Sequence, residues 1–210
     1  LYAGTNEFQD RVIIRGLKKI GHVETIIRDN KKYGLHSVPL NPKNFLYDKE
    51  TNIKNSQILL KNIELKSKKK VIHILIGQFW ANYLPKETLK IISEMGIIII
   101  NISMDDMLPE HWGVYKGTKL GSIGLASTVD FTLSTTKKCC EYYFLDNCPA
   151  FYWPLASDPE IFNKSSDDTI EKNLDVIFVG ARYGIREELV NYLLKNKIKI
   201  VAYGSGWKNG

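Results

Sequence analysis

Several features of secreted, membrane-spanning and metal-binding proteins are missing from this sequence. Its three cysteines contain no CxxC pair, and the adjacent Cys139 and Cys140 are poorly placed to cross-link the fold through a disulfide bond. No apolar run is long enough to cross a bilayer, so we expect no transmembrane segment. No signal peptide is visible, but Leu1 is not a methionine, so we expect the native start to lie upstream. These absences favour a reduced, cytoplasmic setting.

Two nucleotide-binding motifs are also missing. No GxGxxG follows the first predicted strand, which argues against a dinucleotide oxidoreductase, and no GxxxxGK[ST] supports a P-loop enzyme. Positive charge is dense only at residues 66–70, KSKKK, within a modest net charge of +6. This run precedes a predicted buried strand and has no aromatic residues beside it. We therefore interpret it as a solvated loop and expect no nucleic-acid partner.

What remains is an ordinary globular composition, 44% hydrophobic and 25% charged. Short runs of β-branched and apolar residues alternate with amphipathic helical patterns. The strands predicted in the first part of the chain are residues 1–3, 22–28, 71–76, 97–102, 130–133 and 150–153. This alternation predicts a parallel sheet of the Rossmann type, covered by helices on both faces, with functional residues at the carboxyl ends of its strands.

A further βαβ pattern begins at Asp175. Residues 176–179 predict a strand buried on both faces, residues 185–196 predict a helix, and residues 198–203 predict a second strand. Because one βαβ unit cannot bury its own sheet, we expect a second domain that continues beyond Gly210. The predicted organisation is a Rossmann-like domain over residues 1–160, a linker over 161–174 and the start of a second Rossmann-like domain over 175–210.

Turns after two of these strands are candidate ligand sites. Gly180 lets the backbone approach a ligand closely, and Arg182 and Arg186 offer guanidinium donors to a phosphate or a carboxylate. Gly4, with Thr5 and Asn6, is placed to cradle an acceptor or a phosphate. A glycine after a strand is also common in any α/β fold, so the alternative is an ordinary turn.

Three stretches resemble one enzyme family. They resemble the two-domain GT-B glycosyltransferases, most closely the CgeB-like spore-maturation group. The three stretches are the connector WPLASDPEIF (153–162), the segment DVIFVGARYGIR (175–186) and the segment GSGWKNG (204–210), and SMDD at 103–106 adds weaker support. The resemblance implies transfer of a sugar from a nucleotide-activated donor to an acceptor, which is a glycan, a protein or a small molecule. It places the acceptor mainly on the first domain, the donor mainly on the second and the reaction in the cleft between them. It also implies that no metal is required, because positive side chains and helix N-termini stabilise the leaving diphosphate.

Roles for individual residues follow from the resemblance on the donor side and from polar groups placed after strands on the acceptor side. Asp105, Asp106 and His111 are the predicted acceptor-activating groups, and a helix cap or a loop histidine is the plain alternative for each. The predicted donor-binding residues are Gly180, Arg182 and Arg186. The predicted acceptor-binding residues are Gly4, Thr5, Asn6, Gln78 and Trp112, the last as a stacking surface. We expect this stretch alone to be inactive, because the family would hold the nucleotide beyond Gly210.

Two other functions stay open. A sugar-nucleotide epimerase shares the two-domain architecture and needs no acceptor. A non-catalytic carbohydrate- or nucleotide-binding module would keep the fold without the chemistry. For the glycosyltransferase we expect no cofactor, with the nucleotide sugar as a substrate.

Overall fold

The computed structural model of the chain describes residues 1–4, 8–27, 34–36, 47–106, 108–162 and 173–207. The chain divides into two units, Leu1–Asp158 and Pro159–Gly210. In chain order, the first unit contains β1 (Tyr2–Gly4), α1 (Phe8–Lys18), β2 (Thr25–Ile27), α2 (Lys49–Ser67), β3 (Ile74–Gly77), α3 (Lys86–Glu94), β4 (Ile98–Ser103), β5 (Val114–Tyr115), β6 (Thr118–Lys119), β7 (Phe131–Ser134), α4 (Cys139–Leu145) and β8 (Ala150–Tyr152).

A six-stranded parallel sheet organises the first unit. Its strands lie in the order β2-β1-β3-β4-β7-β8, and every neighbouring pair is parallel. The predicted α/β class with a Rossmann-like parallel sheet is therefore confirmed. The strand order reverses between β1 and β3, because β2 follows β1 on one side and β3 lies on the other. Parallel sheets of this kind bind ligands outside the carboxyl ends of the strands at such a switch point.

Helices cover both faces of this sheet. Leu75 and Ile99 point to the face where α2, α3 and α4 pack, whereas Ile102 on β4 packs with Ile14 of α1. Successive strand residues alternate between faces, so short strands of apolar residues serve both layers. Helix α3 begins directly after Pro85, whose backbone is extended at the N-cap position. This arrangement leaves the carboxyl edge of the sheet to loops and polar side chains.

Two details of the first unit differ from the sequence prediction. Strand β3 begins at Ile74, and Val71, which we expected to start a buried strand, is 77% exposed. A hairpin of β5 and β6 lies at residues for which the sequence predicted no strand. Its turn residues Lys116 and Gly117 have φ angles of +48° and +78°. Positive φ at both central residues is typical of the tightest hairpin turns, and the two-residue strands left no periodicity to detect.

The described residues of the second unit form one βαβ element. Strands β9 (Val176–Val179) and β10 (Ile200–Tyr203) pair in parallel, and α5 (Arg186–Lys195) connects them. The prediction that β9 is buried on both faces is wrong, since Ile177 is 58% and Val179 is 78% exposed. One helix can cover only one face of two strands, and the buried residues of this unit include Val190 of α5 and Ala202 of β10.

Within the ranges described above, none of the helices combines the length and the apolar character needed to cross a bilayer.

Candidate functional site

The carboxyl ends of β4 and β7 meet at one half-buried carboxylate. Ser103 and Ser134, the last residues of the two strands, are partners in the sheet register. Asp106 accepts hydrogen bonds from Ser103 Oγ at 2.6 Å, from Tyr143 OH at 2.5 Å and from Ser134 Oγ. Because these donors belong to β4, α4 and β7, Asp106 ties three elements together. We call Asp106, Ser103, Ser134 and Tyr143 the Asp106 cluster.

The electrostatics of the cluster keep its neighbours protonated. Burial, followed by the nearby Asp106 carboxylate, raises the pKa of Tyr143 far above its ordinary value. The same two causes, in the same order, raise the pKa values of the thiols of Cys139 and Cys140. A thiol with a raised pKa carries little thiolate at neutral pH and is a poor nucleophile. These groups therefore act as hydrogen-bond donors or as packing.

Asp105 differs from its neighbour. It is exposed, and it has no hydrogen-bond or ion-pair partner among the residues that the structure describes. The two carboxylates predicted as acceptor-activating groups are thus placed in opposite surroundings. Asp106 already accepts from three hydroxyl donors, and Asp105 is the one whose oxygens are open to a ligand.

His111 and Trp112 lie a few residues further on. His111 ends a short 3-10 helix, Pro109–His111, and is exposed. The Trp112 ring packs edge-on against Tyr142, with 5.7 Å between ring centroids, and Lys119 Nζ lies 4.5 Å from the Trp112 ring centroid. Lys119 also forms an ion pair with Asp146. One face of the Trp112 ring is thereby covered, which limits its use as a stacking surface for a sugar.

At the switch point, a second carboxylate lies beneath the end of β1. Asp10, in the first turn of α1, is 1% exposed. A Cβ on Gly4 would lie 2.8 Å from Asp10 Cγ, so only glycine lets the carboxylate approach the strand. Tyr2 OH donates to Asp10 Oδ1 at 2.5 Å, and Gln78 Nε2 donates to the same oxygen at 3.2 Å. Gly4 and Gln78 are therefore brought together by Asp10; Thr5 and Asn6 lie outside the described residues.

Two buried asparagines hold the loops beside this point. Asn101 on β4 accepts from Phe79 N at 2.8 Å and donates to Phe79 O at 3.0 Å. Asn55 on α2 accepts from His36 N at 2.7 Å and donates to His36 O at 3.0 Å and Tyr83 O at 2.9 Å. The sequence could have pointed to Asn101, because it is a polar residue inside the most apolar strand, IIINIS. Asp10 gave no such signal, because acidic residues are common in the first turn of helices.

In the second unit, the predicted donor-binding residues share the turn from β9 to α5. Gly180 O accepts from Trp207 Nε1 at 2.8 Å. Arg182 forms an ion pair with Glu187 and donates to Gly206 O at 3.3 Å. Arg186 donates to Ala181 O at 2.9 Å, and its guanidinium carbon lies 3.8 Å from the Tyr183 ring centroid. Both guanidinium groups thus have intramolecular partners; Arg182 is exposed and Arg186 is half-buried.

An open pocket of about 390 Å³ lies elsewhere on the first unit. The β5–β6 hairpin, the 3-10 helix Ile123–Thr128 and the end of α4 line it, together with Lys86. None of the residues proposed for the site lines this pocket. In the described part of the chain, no three His, Cys, Asp or Glu side chains are grouped so that they could hold a metal ion.

Comparisons with protein-family models, with curated proteins and with solved structures found no match to this chain.

Proposed function

We propose that this protein is a glycosyltransferase of the GT-B type, which transfers a sugar from a nucleotide-activated donor to an acceptor hydroxyl without a metal ion. The observation that carries the proposal is the pair of adjacent carboxylates at the carboxyl end of β4, one anchored and one open. An exposed carboxylate on a rigidly held strand end is suited to general-base catalysis. The resemblance of residues 153–162 and 175–186 to the GT-B glycosyltransferases selects the reaction.

On the acceptor side, Asp105 is the proposed base. In a direct displacement, the Asp105 carboxylate takes the proton of the acceptor hydroxyl while that oxygen bonds to the anomeric carbon of the donor. The bond from the anomeric carbon to the diphosphate oxygen breaks, and the electron pair leaves with the nucleoside diphosphate. Asp106 is a positioning residue in this scheme, since its bonds to Ser103 and Ser134 fix the backbone that carries Asp105.

On the donor side, Arg182 and Arg186 are the proposed diphosphate contacts. The Arg182–Glu187 ion pair is exposed, and exposed pairs contribute only about 0 to 1 kcal/mol. Exchange of Glu187 for a diphosphate therefore costs little. Helix α5 begins at Arg186, so its first backbone N–H groups lie beside the same turn, but Glu187 and Glu188 in that first turn oppose an anion. The favourable donors of this turn are therefore the two guanidinium groups.

A non-catalytic binding module is the second candidate. The three hydroxyl donors to Asp106 and the intramolecular partners of both arginines favour a binding module, because a protein that lost its chemistry would keep such structural contacts. A sugar-nucleotide epimerase is the third candidate. These functions differ in their products: a transferase needs an acceptor, an epimerase does not, and a binding module forms no product.

Product analysis by mass spectrometry tests the proposal. The full-length protein is incubated with a panel of nucleotide sugars, with and without mixed glycan and small-molecule acceptors. We expect an acceptor product heavier by one sugar residue and an equal amount of nucleoside diphosphate. Asp105→Asn is expected to abolish the product, whereas Glu94→Gln, which changes an exposed carboxylate on α3, is expected to leave it unchanged. Isomerised donor without acceptor, or donor binding without turnover, would contradict the proposal.

A further inference from the structure

The side-chain amide of Gln78 is held in one orientation at the switch point. Asp10 is its hydrogen-bond partner, and an ionised carboxylate can only accept, so the nitrogen of the amide must face Asp10. Tyr2 OH donates to the same carboxylate oxygen, which fixes Asp10 in turn. The backbone on either side is equally constrained. A Cβ on Gly77 would lie 2.5 Å from Ala3 O, and Asn101 binds both the N–H and the C=O of Phe79.

This orientation leaves the oxygen of the same amide available. Gln78 is half-buried, and within the described ranges the hydrogen-bond partners of its side chain are Asp10 and the Tyr2 hydroxyl, both of which take a hydrogen from the amide nitrogen. An amide oxygen is an acceptor with two lone pairs and carries no hydrogen. The amide oxygen that Gln78 offers at the carboxyl ends of β1 and β3 is therefore a fixed, uncharged acceptor, which suits a ligand hydroxyl and cannot itself donate to a phosphate oxygen.

Asp10 also opposes an anion at this point. Helix N-termini attract phosphate through their free N–H groups and their positive dipole end. In this protein, the first turn of α1 already contains a carboxylate, and that carboxylate lies directly against Gly4. A phosphate placed at the turn would meet a buried like charge.

We propose that Asp10 is a positioning residue that presents the Gln78 side-chain oxygen to a hydroxyl group, so that the β1–β3 crevice selects a neutral, hydroxyl-rich ligand and rejects phosphate. This inference rests on the proposed function, in which that ligand is the acceptor. On sequence grounds, the turn at Gly4 allowed either an acceptor or a phosphate, and this inference selects the acceptor. The contact residue is Gln78, and Asp10 acts through it.

Nuclear magnetic resonance titrations of the full chain test the inference. The probes are a panel of neutral mono- and disaccharides and, separately, inorganic phosphate; the readout is the backbone amide signals of Gly77, Gln78 and Phe79. We expect saccharides to shift these signals and phosphate to leave them unmoved. Gln78→Met keeps the length of the side chain and removes its acceptor, so it should weaken saccharide binding by about three- to tenfold. Gln57→Met, on the exposed surface of α2, is the matched control and should bind as the native protein does.

Asp10→Asn separates positioning from a merely structural role. The variant removes the charge and frees the Gln78 amide to rotate, so saccharide binding should weaken while phosphate begins to shift the same signals. A purely structural role would weaken saccharide binding in parallel with the melting temperature and leave phosphate without effect on the signals. Saccharides that leave the three signals unmoved, or phosphate that shifts them in the native protein, would overturn the inference. If saccharides bind through Gln78 and no sugar is transferred, the proposed transferase function is wrong and the saccharide site stands. If sugar is transferred and Gln78→Met leaves the acceptor KM unchanged, the Gln78 site is wrong and the transferase function stands.

Discussion

The Asp106 cluster and the β9–α5 turn both place charged side chains after a strand, but they hold those charges in different ways. Asp106 is half-buried and accepts three hydroxyl hydrogens from three different elements. Arg182 is exposed, and its partner Glu187 lies in the first turn of the helix that follows. Hydrogen bonds to a buried charge are costly to break, whereas exposed ion pairs exchange easily. The charge of Asp106 therefore stabilises the fold, whereas Arg182 can exchange its partner Glu187 for an anionic ligand.

This difference also separates Asp105 from Asp106. The two residues are adjacent in sequence and were equivalent candidates for the base. Only Asp105 is open to solvent, and only Asp106 is bonded to the strand ends. The comparison thus predicts that structural and chemical roles divide cleanly between neighbouring carboxylates.

The largest effect is expected from removal of the anchored carboxylate. Asp106→Ala leaves the hydroxyls of Ser103, Ser134 and Tyr143 without their acceptor, and we expect it to lower the free energy of unfolding by about 3 kcal/mol. Urea denaturation measures this change. Asp105→Ala is the control and should stay within about 0.5 kcal/mol of the native protein. Equal losses in the two variants would remove the distinction between the carboxylates.

An intermediate effect is expected from alkaline pH. Burial, followed by Asp106, raises the pKa of Tyr143 from its ordinary value of 10. A group whose pKa is higher in the folded state contributes stability that is complete below its unfolded pKa and is lost as the pH rises. We therefore expect the free energy of unfolding to fall above pH 10. In Tyr143→Phe this fall should be shallower by about 1.4 kcal/mol per pH unit, as measured by urea denaturation across that range. An unchanged slope would mean that Tyr143 ionises as freely in the folded state as in the unfolded state.

The smallest effect on stability is expected in the second unit. Glu187→Gln removes an exposed ion pair and should lower the free energy of unfolding by only about 0.5 kcal/mol. It also frees Arg182, so the affinity for a nucleoside diphosphate such as UDP or GDP should rise. Calorimetric titration measures this affinity. Glu188→Gln removes the same charge from a neighbouring exposed position and is expected to leave the affinity closer to the native value. Equal gains in the two variants would show a general charge effect with no release of Arg182.

The architecture was predictable because each strand is a short apolar run between helical patterns. Strand β4, for example, was expected at 97–102 and lies at Ile98–Ser103. The exposure of Ile177 and Val179 was not predictable from the same signal, since an apolar run does not reveal which layers cover it. The hairpin at 114–119 escaped detection because its strands are two residues long.

The candidate site was less accessible to sequence reasoning, because its contacts join distant residues. Asp106 meets Ser134 and Tyr143, which lie 28 and 37 residues further along the chain. Gln78 meets Asp10 across 68 residues, and only the adjacency of β1 and β3 in the sheet brings them together. Residue type and position after a strand identified Asp105, Asp106 and Gln78 as polar groups at the carboxyl edge. Which of them is anchored, open or oriented depends on tertiary partners that local patterns do not encode.

Steady-state kinetics of Asp105→Asn and Arg182→Gln separate the proposed base from the proposed diphosphate contact, with nucleoside diphosphate release measured across donor and acceptor concentrations. We expect Asp105→Asn to lower kcat by about 100-fold or more, as the loss of a general base does, while the donor KM is unchanged. We expect Arg182→Gln to raise the donor KM and to leave the acceptor KM unchanged. Native turnover in both variants, or a change in donor KM with Asp105→Asn and in acceptor KM with Arg182→Gln, would rule out these two roles.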